Sequence, residues 1–377
     1  MIQYIYSTSK TEVTSLYSGT NVDKYSFRND YSESAHPKII EAVLKLAYES
    51  NTPYGMDRHS EAAANIIREL CGRPDAEVAF TGGGTATNVL AISAFLRNSY
   101  EAVICADTGH INVHETGSIE YAGRKAITIP VGVDGKLTPE LIDPVFKVFE
   151  SEHMVVPKLV YISQSTELGT IYSKAELTAL SEYCHKNGLS LFVDGARLGS
   201  ALMAPSNDVT LKDLGNLVDG FYLGGTKNGL LFGEALVLLD EKVADHLRWL
   251  IKQRGFMIAK GFVVGAMFEE ALSTGLYFDI AKYENESAAR IVEAIKQAGF
   301  ELYNEFQTNQ IFVLLPAELG QELSDTYGCF IQERLSDGRW AVRIVTACGT
   351  TEDAIADISA WFIKKACAGI VKNYIGK

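Results

Sequence analysis

The hydrophobic pattern of this chain predicts an α/β protein with a large, mostly parallel sheet and a smaller α+β unit after it. Two observations lead there. Seven short apolar runs, at 77–81, 102–106, 126–130, 158–163, 189–194, 218–223 and 234–239, alternate with segments of helical period near 85–97, 112–122, 139–150 and 174–187. Such alternation argues for a sheet covered by helices on both faces, and seven strands fit one domain of about 225 residues. The tail then changes character: strands are expected near 300–303, 310–315 and 341–346, followed by a helix at 352–368.

In chain order, residues 1–35 are polar and aromatic without a clear period and read as an N-terminal arm. Apolar residues at 39, 40, 43, 44 and 47 follow His36-Pro37 with helical spacing. The stretch NTPYG is a loop, and a second amphipathic helix near 60–71 stops at Gly72-Arg-Pro. After the seven strands a long helical region covers 241–298, with an amphipathic helix from about 283. The expected division is an arm at 1–35, a large ligand-binding domain at 36–260 and a small C-terminal domain at 261–377.

Composition narrows the function. The 377 residues are 47% hydrophobic and 21% charged, as in ordinary globular proteins. A net charge of −13 argues against nucleic acid or an anionic membrane as partner. The six cysteines are scattered without paired spacing, so a reducing, cytoplasmic compartment is expected. The opening MIQYIYSTSKTEV lacks a basic segment followed by an apolar run, so no secretory signal is expected. No window approaches the roughly 20 apolar residues of a membrane span. The histidines lack metal-site spacing with acids or cysteines, so no metal is expected.

Five segments carry candidate chemistry. TGGGTATN (81–88) joins an apolar strand to a helix, where the backbone N–H groups of Gly84, Thr85 and Ala86 can cup a phosphate. His110, in CADTGHINVHE, follows a strand end and can stack on a ring or move a proton, with Glu115 as a partner. Asp194 ends an apolar strand and is followed by Gly195, Ala196 and Arg197, the last able to bind an anionic oxygen. Lys227 sits in GGTKNG with Thr226 before it, and Arg343 lies in a predicted strand where its planar fork suits a carboxylate. Each alone has an ordinary explanation: a capped turn, a loop histidine, an Asp-Gly turn, a surface lysine, a surface ion pair. Their order is more telling. A buried acid and a lysine after neighbouring strands read as the two ends of a pyridoxal phosphate (PLP) site, the acid holding the pyridine nitrogen and the amine the aldehyde. A nicotinamide-dependent dehydrogenase is disfavoured, since no G-x-G-x-x-G turn follows an early strand.

With FRNDYSESAHP, TPYGMD, TGGGTATN, GHINVHETG, QSTELGTIYS, VDGAR, GGTKNG and VRIVT on one chain, the sequence resembles the L-threonine aldolase group of the aromatic amino acid β-eliminating lyase family, particularly the low-specificity and phenylserine types. The matching stretches run from 27 to 346. The resemblance implies the PLP-dependent transferase-like fold (aspartate aminotransferase fold type I) and retro-aldol cleavage of β-hydroxy-α-amino acids to glycine and an aldehyde. It also implies roles. Lys227 would bond the cofactor, Asp194 its nitrogen, and His110 would stack on it. Gly84, Thr85 and Thr226 would hold its phosphate. Arg197 and Arg343 would hold the substrate carboxylate, helped by Asn29. Tyr54 and Lys260 would enter a neighbouring subunit's site, implying a homodimer or homotetramer, with Lys260 reaching the phosphate. Glu167 stands where many such aldolases carry His, so the base for the β-hydroxyl is left among His110, Glu167 and a bound water. Two alternatives stay open: a PLP-dependent β-eliminating lyase or aminotransferase acting on another amino acid, and a non-catalytic protein binding PLP or a phosphate ligand.

Overall fold

The apolar runs at 102–106, 158–163, 189–194, 218–223 and 234–239 are almost wholly buried, and those at 77–81 and 126–130 only in part, in a computed structural model that describes residues 24–367. The strands are β1 (Glu77–Thr81), β2 (Glu101–Ala106), β3 (Lys125–Ile129), β4 (Val156–Ser163), β5 (Ser190–Asp194), β6 (Gly220–Gly224) and β7 (Glu234–Leu238). They form one sheet in the order β1-β7-β6-β5-β4-β2-β3. From β3 to β6 the pairings are parallel, while β7 runs antiparallel to both β6 and β1. The reversal has a local cause, because the connection 225–233 is too short for the crossover that a parallel neighbour needs.

Alternate residues of these strands enter two separate cores. Ile104, Ile162, Val193 and Leu223 pack on one face, and Val103, Tyr161, Phe192 and Tyr222 on the other. Two covered faces explain why the runs are apolar at consecutive positions instead of alternating. The helix Gly84–Phe95 lies within the second core with Thr87 to Ala94 buried, and Phe262–Ser273 contributes Val264, Met267 and Phe268 to the first.

Several expected boundaries shift for identifiable reasons. The predicted helix at 112–122 is two short helices, His110–Val113 and Ser118–Tyr121, because Thr116 and Gly117 take left-handed backbone between them. The region 241–298 resolves into four helices, the last two (Phe262–Ser273 and Leu276–Gln297) divided by Gly275 at φ +75°. Leu276–Gln297 starts earlier than its amphipathic period suggested, since its first turns are buried in the large core and the rest in a third core.

That third core belongs to an antiparallel sheet of β8 (Glu301–Leu302), β9 (Gln310–Pro316), β10 (Phe330–Arg334) and β11 (Arg339–Val345), ordered β10-β11-β9-β8. The helices Ala317–Tyr327 and Glu352–Cys367 cover it. Strand β10 and the first of these helices were not anticipated; β10 reads FIQER and is only partly buried, so its apolar signal is weak. Residues 24–35 cross this sheet, with Phe27 N donating to Tyr327 O (2.8 Å) and Val345 N to Phe27 O (3.0 Å). The part of the expected arm at 1–23 lies outside the described residues. No helix among the described residues is long and apolar enough to cross a membrane.

The parallel strands β2, β4, β5 and β6 all point their C-terminal ends toward one edge. Chain order reverses in this region of the sheet, which is where open α/β sheets hold ligands. His110 follows β2, Glu167 follows β4, Asp194 ends β5 and Lys227 follows β6. At that edge Gly195 is pressed against β6: a Cβ there would stand 1.7 Å from the backbone oxygen of Tyr222. Gly195→Ala must therefore separate the two strand ends. A loss of roughly 3 kcal/mol or more is expected from overpacking against backbone, read as a lowered urea midpoint; an unchanged midpoint would show that the strand ends yield freely.

Candidate active site

Asp194 is 4% exposed and accepts four hydrogen bonds. Tyr222 Oη (2.6 Å) and Ala196 N (3.0 Å) reach Oδ1; Asn88 Nδ2 (3.0 Å) and the hydroxyl of Tyr161 reach Oδ2. Burial alone would raise its pKa. The nearby His110 and the donors Tyr161, Tyr222 and Ala196 N outweigh burial and hold it below the usual carboxylate value. Both tyrosines are pushed well above their ordinary values by burial and by the Asp194 charge, so they remain donors. Asp194 makes no ion pair with Lys or Arg among the described residues. An ionised carboxylate surrounded by neutral donors fits a cationic ring nitrogen.

A polar chain runs outward from it. Asn88 Nδ2 also donates to Glu115 Oε1 (2.8 Å), and that oxygen bonds His110 Nδ1 (2.8 Å). Ser118 Oγ (2.6 Å) holds the other oxygen of Glu115. Glu167 Oε1 accepts from His110 N (2.9 Å) and Ser163 Oγ (2.7 Å), and burial together with the Asp194 charge raises its pKa.

Lys227 faces a cavity of about 550 Å³, shared with Arg28, Tyr31, His110, Glu167, Arg197 and Arg343 among others. Its Nζ lies 5.8 Å from the centre of the Tyr31 ring. Burial and the Arg197 charge lower its pKa, only partly offset by Asp30, Asp194 and Glu234. A lowered pKa gives a larger share of free amine, the form that attacks a carbonyl. Beside it, burial pushes Glu234 up to about 7, and Glu234 accepts from Gly225 N at 2.7 Å.

The two arginines differ. Arg197 is forked onto Asp30 (Nε–Oδ2 2.6 Å, Nη2–Oδ1 3.0 Å), and Asn309 Nδ2 supports the same carboxylate at 3.0 Å. Arg343 lies over the Phe330 ring at 5.1 Å and makes one long bond to Arg28 O (3.4 Å). Its Nε is buried without a partner, it has no acid partner among the described residues, and burial with the Arg197 charge lowers its pKa to about 10. A small carboxylate in the cavity would complement it.

The helix start beside Asp194 offers a third feature. A methyl built on Gly84 would stand 3.4 Å from Tyr222 Oη. The first helical bond there is Thr87 N to Gly83 O (3.1 Å), so the N–H groups of Gly84, Thr85 and Ala86 have no partner among the described residues. Three free donors at a helix N-terminus suit a phosphate.

Other expected residues sit elsewhere or are already bonded. Thr226 Oγ1 accepts Gly233 N (3.0 Å) within its own loop. Asn29 Oδ1 caps a local turn through Tyr31 N (3.0 Å) and Ser32 Oγ (2.9 Å). Tyr54 and Lys260 are exposed; Tyr54 N donates to Ala259 O (3.0 Å), and Tyr54 lines a separate cavity of about 300 Å³. Within one chain they do not line the Lys227 cavity.

Sequence reading passed over Asp30, Asn88, Tyr161, Tyr222 and His114. Three had a usable signal: a tyrosine inside a mostly apolar strand, or an asparagine inside a mostly apolar helix, needs a buried partner. Asp30 had none, since its partner lies in a distant segment.

A buried ionised acid with neutral donors, a buried lysine of lowered pKa after the next strand and a donor-rich helix start at the same sheet edge fit a PLP-binding α/β enzyme. The chain belongs to the beta-eliminating lyase family, whose model matches residues 27–318. It is similar to the low specificity L-threonine aldolase of a Pseudomonas species, 33% identical over 76% of this chain and 83% of that one. It is also similar to the threonine aldolase of Leishmania major, 42% identical with a TM-score of 0.88 over 91% of this chain and 99% of that one. A Sphingomonas wittichii serine palmitoyltransferase shares the fold alone, at 16% identity and a TM-score of 0.68 over 92% of this chain and 88% of that one.

Asp30→Asn leaves the buried Arg197 without its counter-charge, so a stability loss of about 3–5 kcal/mol is expected in urea unfolding near neutral pH. The Asp30 pKa is lowered in the fold, so its contribution is present above the unfolded value near 3.9 and is lost as pH falls through the folded value. The gap between wild type and variant should therefore narrow on acidification toward pH 3; a constant gap would reject the ion-pair origin.

Proposed function

We propose that the protein is a PLP-dependent aldehyde-lyase of the L-threonine aldolase type, cleaving L-threonine, L-allo-threonine or related β-hydroxy-α-amino acids to glycine and an aldehyde. The observation that carries the substrate side is Arg343, a half-buried guanidinium with an unpartnered buried Nε and no acid partner among the described residues, in the same cavity as Lys227, whose pKa is lowered. Names of relatives at up to 42% identity carry the reaction type.

When bound, the cofactor supplies an electron sink at Cα of the amino acid. Lys227 would hold its aldehyde, Asp194 its ring nitrogen, and the N–H groups of Gly84, Thr85 and Ala86 its phosphate, with His110 stacked against the ring. Arg343, with Arg197 behind it, grips the substrate carboxylate and so fixes which bond at Cα stands ready to break. His110 and Glu167 reach the cavity as proton-handling groups.

We also place Tyr54 and Lys260 at the site of a second subunit in a homodimer or homotetramer. Both are exposed near each other, away from the chain's own Lys227 cavity. A cytoplasmic location fits cysteines that are free throughout the described residues.

The test is cleavage of L-threonine and L-allo-threonine by the PLP-loaded protein, with glycine and acetaldehyde as products. Pyruvate and ammonia from another amino acid, with no glycine from these two or from phenylserine, would overturn the reading. Lys227→Ala should abolish the visible band of lysine-bound cofactor, and an unchanged band would assign attachment elsewhere. Arg343→Ala should raise KM by roughly 10- to 100-fold with a smaller effect on kcat, as expected for losing a charged hydrogen-bonded grip; normal saturation would remove Arg343 from the substrate site.

A further inference from the structure

We propose that His114 takes the proton from the substrate's β-hydroxyl, a part assigned above to none of the bonded groups; this rests on the retro-aldol reading. His114 lies one helical turn after His110, with ring centres 5.5 Å apart, on the wall of the Lys227 cavity. Neither of its ring nitrogens bonds a described residue, and the ring is half-exposed to the cavity. The other proton carriers there are engaged: His110 Nδ1 is fixed on Glu115, and Glu167 Oε1 already accepts two hydrogen bonds.

Substrate geometry points the same way. With the carboxylate on Arg343 and the amino group at the Lys227 end, the β-hydroxyl is left to the other residues of the same wall, which include His114, Val113 and Phe330. The electrostatic setting suits a base. Burial and the charges of His110, Arg343, Lys227 and Arg197 hold the imidazole below its ordinary pKa, with Arg28 also on this wall. The acids on the wall are Asp107, which accepts Val131 N, and Glu167. At neutral pH the ring is therefore uncharged and able to accept a proton.

In the step, the O–H bond breaks and its proton moves to a ring nitrogen of His114. The oxygen electrons close the C=O bond of the departing aldehyde as Cα–Cβ breaks. The Cα–Cβ pair stays with the glycine fragment, which gains one proton from solvent, and the imidazolium returns one proton to solvent, so protons balance.

Glycine lacks a β-hydroxyl and separates this role from any structural one. For PLP-loaded His114→Phe, kcat for L-allo-threonine cleavage should fall by roughly 100-fold or more. The acid limb of the wild-type pH profile should disappear. Glycine affinity by calorimetry, and exchange of the glycine Cα proton with deuterium, should stay within about twofold of wild type, as binding and Cα chemistry do not use this proton. Cleavage within about threefold of wild type would overturn the proposal, as would a parallel loss of glycine binding. A wild-type protein that cleaves no β-hydroxy amino acid would instead sink the retro-aldol reading itself, and His114's part with it.

Discussion

A negative charge is kept far from water at the end of β5, and the rest of the site is arranged around that fact. Removing a carboxylate from water costs several kcal/mol even after the protein relaxes. The donors around Asp194 come from β4, β6 and the helix Gly84–Phe95, so the charge is tolerated only while these elements remain in register. They supply hydrogen bonds and no net positive charge. A cationic ring bound there, as proposed, would complete the balance and turn a cost of folding into affinity.

The cavity beyond shows the opposite imbalance. Arg28, Arg197, Lys227 and Arg343 face it, while Asp30 neutralises only Arg197 through a direct ion pair. A chain of net charge −13 thus contains a locally cationic chamber, and the bulk value gives no hint of it. Burial first, and then the charge of neighbouring cations, lowers the pKa of Lys227, His114 and Arg343. Residues 24–35 matter here because they carry Asp30 across from the small sheet.

Much of this was legible in the amino acids. The seven strands were visible as apolar runs because both faces of the sheet are covered, and Asp194 and Lys227 because each interrupts such a run with glycine. Strand β10 was not, since a half-buried edge leaves little hydrophobic trace. Nor was the pairing of Asp30 with Arg197, 167 residues apart. Asn29 was singled out from that stretch, and it turns out to cap a local turn beside the acid that reaches the arginine. Pairings of this kind depend on the tertiary path, and no local spacing encodes them.

The connection 225–233 is closed at its base by Gly225 N and Thr226 N on Gly233 O, and further held by Asn228 Nδ2 on Tyr277 O. Its backbone is therefore a rigid tether. Were Lys227 to hold and release a cofactor as proposed, the motion would have to come from its own methylene stem, with freedom in a single side chain and stillness in the segment that bears it.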